Sequence, residues 1–81
     1  MEKVNSIDHL RSLVKGGVKN FRINLNFGMY SVKHISLDKD GKFNILNKID
    51  NTRQSLSEKD VLDESKTNIG KAIRLGAFYT L

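Results

Sequence analysis

The sequence predicts an α+β domain: one N-terminal helix, an antiparallel three- to four-stranded β-meander, then two short C-terminal helices. Three observations carry that expectation. Apolar and polar residues alternate from Phe21 to Phe27, the period of a strand with one buried face. From Ile7 to Val14 the apolar residues fall three and four apart, which marks one face of a helix. Gly16-Gly17, Gly28, Asp38-Lys39-Asp40-Gly41 and Asp50-Asn51 stand between the periodic segments, and these are residue types that let a chain reverse.

The first helix is expected over Ser6 to Lys15. Ile7, Leu10, Leu13 and Val14 form its apolar face. Ser6 is placed to accept from a free N–H of the first turn. Asp8 and Lys15 suit the positive and negative ends of the helix dipole. Gly16-Gly17 ends it, because glycine takes the left-handed backbone of a C-terminal cap.

The first strand puts Phe21, Ile23, Leu25 and Phe27 on a core face and Arg22, Asn24 and Asn26 on a wet one, as in an antiparallel sheet covered on one side. Gly28 supports the turn that follows. The second strand, Met29 to Leu37, is irregular. Tyr30 and Val32 share one parity, Ile35 and Leu37 the other. A bulge near Lys33-His34 produces such a switch; so does cover on both faces, for instance by a second subunit. Asp38 to Gly41 reads as a hairpin loop. A third strand follows with Phe43, Ile45 and Ile49 on one face, and Arg53 to Leu56 is a short fourth strand or an extended lead-in.

Ser57 and Asp60 resemble a capping box that opens the second helix, with Leu56 and Val61 as its hydrophobic staple. That helix is expected to end near Ser65. A third starts near Thr67-Asn68, presents Ile69, Ala72 and Ile73 on one side, is weakened by Gly70, and stops at Gly76. The apolar tail from Ala77 to Leu81 returns to the sheet edge or docks on a partner.

The chain of 81 residues is expected to be a single small α+β domain over 1–81. With 38% apolar residues it is too apolar for a typical disordered segment. No apolar run approaches the roughly 20 residues of a membrane span, and the first residues lack the apolar core of a secretory signal. The expectation is a cytoplasmic protein with no membrane partner. There is no cysteine, so disulfides and cysteine-based zinc sites are excluded. So small a domain lies near the lower limit of comfortable independent stability, and self-association as a homodimer is the expected remedy.

The net charge of +5 is uneven. Arg11, Lys15, Lys19, Arg22 and Lys33 follow one another with no acidic residue between Arg11 and Lys33. From Asp50 to Glu64 the acids dominate. A basic first half supports polyanion binding, although such a charge also serves solubility alone.

Familiar sites fail on inspection. Asp38-Lys39-Asp40 begins like a calcium loop, but Lys42 stands where an oxygen ligand belongs. His9 and His34, the two histidines, lack a further metal ligand at helical or strand spacing. Gly70-Lys71 lacks the upstream glycine and the Ser or Thr of a phosphate loop. Thr67-Asn68 reads as a cap. Glu58, Asp60, Asp63 and Glu64 read as a solvated face. No catalytic residue, cofactor site or metal site emerges.

The polar strand face attracts most interest. Arg22, Asn24 and Asn26 line up there, with Asn44 and Lys48 on the third strand. Such side chains bind phosphates and base edges. Sheet-based RNA readers add exposed aromatics, for which Tyr30 and Tyr79 are the free candidates.

Leu25-Asn26-Phe27-Gly28, Ile49-Asp50-Asn51, Thr67-Asn68-Ile69-Gly70 and Ala72-Ile73 resemble segments of small uncharacterised bacterial proteins of about this length, some linked to mobile elements. The resemblance covers most of the chain. It implies a compact α+β domain and no activity.

The leading functional expectation is a small non-enzymatic binding or regulatory module that acts through protein–protein contacts as a homodimer. The alternative is a nucleic-acid-binding accessory protein. Its polyanion or partner contacts would be Arg11, Lys15, Lys19, Arg22, Asn24, Asn26 and Lys33. A third expectation is a small-ligand or enzyme role with no identifiable site.

Overall fold

The computed structural model describes residues 1–24 and 30–81. Leu25, Asn26, Phe27, Gly28 and Met29, with the expectations placed on them, lie outside the described residues. The first helix, α1, spans Ile7–Lys15. Ser6 caps it: its hydroxyl accepts from the His9 N–H at 3.0 Å. Gly17, at φ 101°, takes the chain out of the helix through a backbone region that a side chain would strain.

Five strands form one antiparallel sheet: β1 (Asn20–Asn24), β2 (Tyr30–Leu37), β3 (Phe43–Asn47), β4 (Arg53–Leu56) and β5 (Phe78–Thr80). Their spatial order is β4-β3-β2-β1-β5. The first four are the expected meander. The fifth revises the strand count: the tail returns and pairs with β1, placing Phe78 against Phe21 with ring centroids 5.4 Å apart. The N-terminal segment covers β5 in turn. Val4 N–H donates to Phe78 O, Thr80 N–H donates to Glu2 O, and Lys3 pairs with Tyr79.

The second strand shows no parity switch. Its register runs unbroken from Tyr30↔Asn24 to His34↔Asn20 on one side, and from Lys33↔Asn47 to Leu37↔Phe43 on the other. A bulge is therefore not the explanation of its irregular pattern. Ile35 against Ile45 and Leu37 against Phe43 fix the inner face, and a one-residue slip would expel them all. Ser31 and Lys33 then have to face inward opposite Ile23 and Phe21. Both are buried.

The third strand stops at Asn47, short of the expected Ile49. Asn47 Oδ1 accepts from the Ile49 N–H, and Asn51 turns back at φ 61° to donate to Asn47 O. Ile49 is thereby lifted out of the sheet and is 63% exposed. The hairpin before β3 is held by Asp38, whose carboxylate accepts from the N–H groups of Asp40 and Lys42.

Two short helices follow, α2 (Glu58–Val61) and α3 (Ile69–Arg74). Ser57 caps α2 as expected, accepting from Asp60 N–H. This helix ends before Ser65 because Asp63 organises a turn, its carboxylate accepting from Ser65 N–H and Oγ. Leu10 of α1, Val61 of α2, and Ile69 and Ala72 of α3 all join one core with Phe21, Ile23, Ile35, Phe43, Ile45 and Phe78. Those sheet residues share the inner face. The three helices formed by the described residues thus cover the same side, and none of them covers the other. No helix among the described residues is long and apolar enough to cross a membrane.

Candidate functional site

The register sets the outward side chains in rows across the uncovered face. Asn24 and Tyr30 are directly paired. A second row runs Lys3, Tyr79, Arg22 and Val32, and the bond from Lys48 N–H to Val32 O puts Lys48 at its next position. The third row holds Asn20, His34, Leu46 and Arg53. Ser36, Asn44 and Ser55 make the fourth.

Arg22 is the organised centre of this surface. Its guanidinium lies over the Tyr30 ring, 4.2 Å from the centroid. Its Nε donates to Asn24 Oδ1 at 2.7 Å. The ring attracts the cation electrostatically, while the Asn24 bond uses Nε and leaves the terminal nitrogens free to donate. Tyr30 is 49% exposed. Tyr79 donates its hydroxyl to Gly76 O at 3.0 Å, which fixes its ring on the same face. Toward β4 the face sinks into a shallow depression of about 500 Å³, lined by His34, Ser36, Asn44, Leu46, Arg53 and Ser55.

No outward strand position among the described residues carries a carboxylate. The acids lie elsewhere: Glu2 bonded to His9, Asp8 on α1, Asp38, Asp40 and Asp50 in the strand turns, and the rest in α2 and the loop after it. The open face is therefore positive and rich in amide and hydroxyl groups. It can meet phosphates with its cations, stacked rings with its tyrosines and guanidinium plane, and base edges with its amides.

The predicted contact residues separate into four places. Arg22 and Asn24 stand together on the open face. Lys15 and Lys19 flank a second depression with Val14, Ser36 and Leu37 at the end of α1. Arg11 is held on the helix side: it lies 4.9 Å over the Phe43 ring, donates to Gly41 O at 3.3 Å and pairs with Glu58 at 3.4 Å. Lys33 faces inward, where burial holds its amine below the ordinary value against the opposing pull of Asp50. Asn26 is outside the described residues. The open face gains Lys3, His34 and Arg53, which charge order along the chain does not single out. Strand parity gives the signal for His34 and Arg53. Lys3 has none, because its place depends on the return of the tail.

Fold and face together define an open-faced α+β module with one helix-covered side and one polar, positive side. Comparison of the chain with protein-family models, with curated proteins and with solved structures finds no match.

Proposed function

We propose that the chain is a small non-enzymatic module that binds single-stranded nucleic acid on its open sheet face. The observation that carries this reading is the Arg22–Tyr30 pair at the centre of a face with Lys3 and Arg53 and no outward carboxylate among the described strand residues. Cations along a groove and a ring on which a base stacks are the two parts of sequence-tolerant strand binding. Expected is binding of single-stranded oligonucleotides, read by fluorescence anisotropy, that weakens with salt. Three engaged cations give a slope of log K against log salt of about −2. No binding at low salt eliminates the reading.

A homodimer is a second reading, supported by the edge strand β4. Arg53, Gln54 and Ser55 are exposed there, whereas the opposite edge is covered by the Glu2 to Val4 segment. An uncovered edge offers backbone groups to another strand, so β4 of two copies can pair. Solution mass decides it, and a clean monomer at high concentration removes it.

A further inference from the structure

Lys33 is a lysine turned into the helix-covered side of the sheet and only 8% exposed. None of the ion pairs formed among the described residues includes it. Its stem is buried while its Nζ is not sealed off from the cavity, so the partly desolvated ammonium is open to an anion that arrives from outside.

The amine borders a cavity of about 280 Å³ between the sheet and the loop that joins α2 to α3. Lys33, Asn47, Gln54, Lys66, Thr67 and Asn68 line it, with no carboxylate among the lining residues. Two of its acceptors are committed. Asn47 Oδ1 accepts from Ile49 N–H, which leaves the Asn47 amide nitrogen as a donor. Thr67 Oγ1 accepts from Ile69 N–H and keeps its own hydrogen to give. Gln54 Nε2 donates to Lys66 O at 3.4 Å, bracing the loop against β4. At the rim Lys66 is held by Asp60 at 2.9 Å. What remains toward the cavity is the Lys33 ammonium with the Asn47 amide and the Thr67 hydroxyl as neutral donors, beside the Gln54 and Asn68 side-chain amides, which can turn either a donor or an acceptor to a guest.

We propose that this cavity seats a small phosphate-class anion, inorganic phosphate or a phosphomonoester, with Lys33 Nζ, the Asn47 amide and the Thr67 hydroxyl as its donors. Three donors around a tetrahedral anion are short, charge-assisted contacts. A water takes about 30 Å³ of liquid, so the space also admits the small organic group of a monoester. The Asp50 carboxylate is held by Thr52 N–H and Oγ1 and acts on Lys33 from outside the lining. The seat is on the opposite side of the sheet from Arg22 and Tyr30, so it stands independently of nucleic-acid binding.

The test titrates inorganic phosphate, and in a second arm glycerol phosphate, into the isotope-labelled chain at constant ionic strength set with chloride. Expected are saturable shifts of the Asn47 and Gln54 side-chain amides and of the backbone amides of 66–68. Tighter binding of glycerol phosphate identifies the monoester as the ligand; equal binding identifies the free anion. Lys33→Met weakens binding by about tenfold or more, the loss of one charge-assisted hydrogen bond. Arg22→Ala and Arg53→Ala leave it unchanged. A measurement that needs no variant follows the Lys33 amine itself, whose titration moves up when phosphate is added. Absent or non-saturating shifts, shifts confined to the open face, full binding by Lys33→Met, or an unmoved Lys33 titration each overturn the proposal.

Discussion

The Arg22 guanidinium rests over the Tyr30 ring at 4.2 Å from its centroid, with Asn24 holding Nε at 2.7 Å. The two side chains come from adjacent strands, in neighbouring rows of the same face two register pairs apart. The ring is half-exposed and contributes little to the core, so its position is available for binding. Tyr30→Ala is expected to lose about 1–3 kcal/mol of single-strand affinity while thermal stability changes little. Tyr30→Phe keeps the π-face and most of the affinity. Anisotropy titrations of the two variants check this; equal binding by Tyr30→Ala and the parent removes Tyr30 as a stacking platform.

Arg11 makes the complementary case. It bridges α1 to the β2–β3 hairpin and to α2 through Phe43, Gly41 O and Glu58. Partly buried cation–π contacts are worth about 0.5–2 kcal/mol, and the exposed ion pair adds little. Arg11→Ala is therefore expected to lower unfolding free energy by about 1–2 kcal/mol and to leave oligonucleotide affinity and its salt slope unchanged. Urea denaturation measures the first and anisotropy the second. A stable variant with weakened binding reverses the assignment.

These two arginines show what was legible in the sequence. Alternation announced β1 and its core residues Phe21 and Ile23, because one buried face leaves a period-two trace. The capping serines at 6 and 57 were legible because their chemistry is local. The inward turn of Lys33 was not legible. Ile35 and Leu37 pair with Ile45 and Phe43 across the sheet, and that long-range register overrides the polarity of a single residue. Likewise β5 depends on where the tail finds an open edge beside β1. The charge run from Arg11 to Lys33 is continuous along the chain but divided in space, since strand alternation sends Arg22 and Lys33 to opposite sides.

Helix propensity alone makes Gly70 a weak point in α3, and its surroundings give it another role. A Cβ there would lie 2.9 Å from Leu62 O and 3.0 Å from Leu62 Cα. Helix propensity favours alanine over glycine by about 1 kcal/mol. Overpacking against backbone that cannot move aside costs about 1–3 kcal/mol, so the clash outweighs the propensity. Gly70→Ala is expected to be destabilising by up to about 2 kcal/mol, read as a lower denaturation midpoint. A higher midpoint would mean that α3 and the end of α2 separate without penalty.

Lys33 supplies the pH dependence. Desolvation lowers its folded-state pKa from the ordinary 10.5, and the attraction of Asp50 only partly opposes this. Lys66, the other cation at the cavity, is drawn to Asp60. A base with a lowered folded pKa binds fewer protons when folded than when unfolded, so stability rises with pH through the interval below 10.5. Below the lowered pKa the charged amine must be partly desolvated, and the full penalty of that remains. Above 10.5 both states are neutral and that penalty is gone. Lys33→Met has no proton to lose. In phosphate-free buffer it is expected to be more stable than the parent at neutral pH, with the difference shrinking as pH rises toward 10.5. Denaturation midpoints of parent and variant across alkaline pH check the sign. A variant less stable than the parent at neutral pH, with the same slope above it, would show that the ammonium is favourably paired within the folded chain.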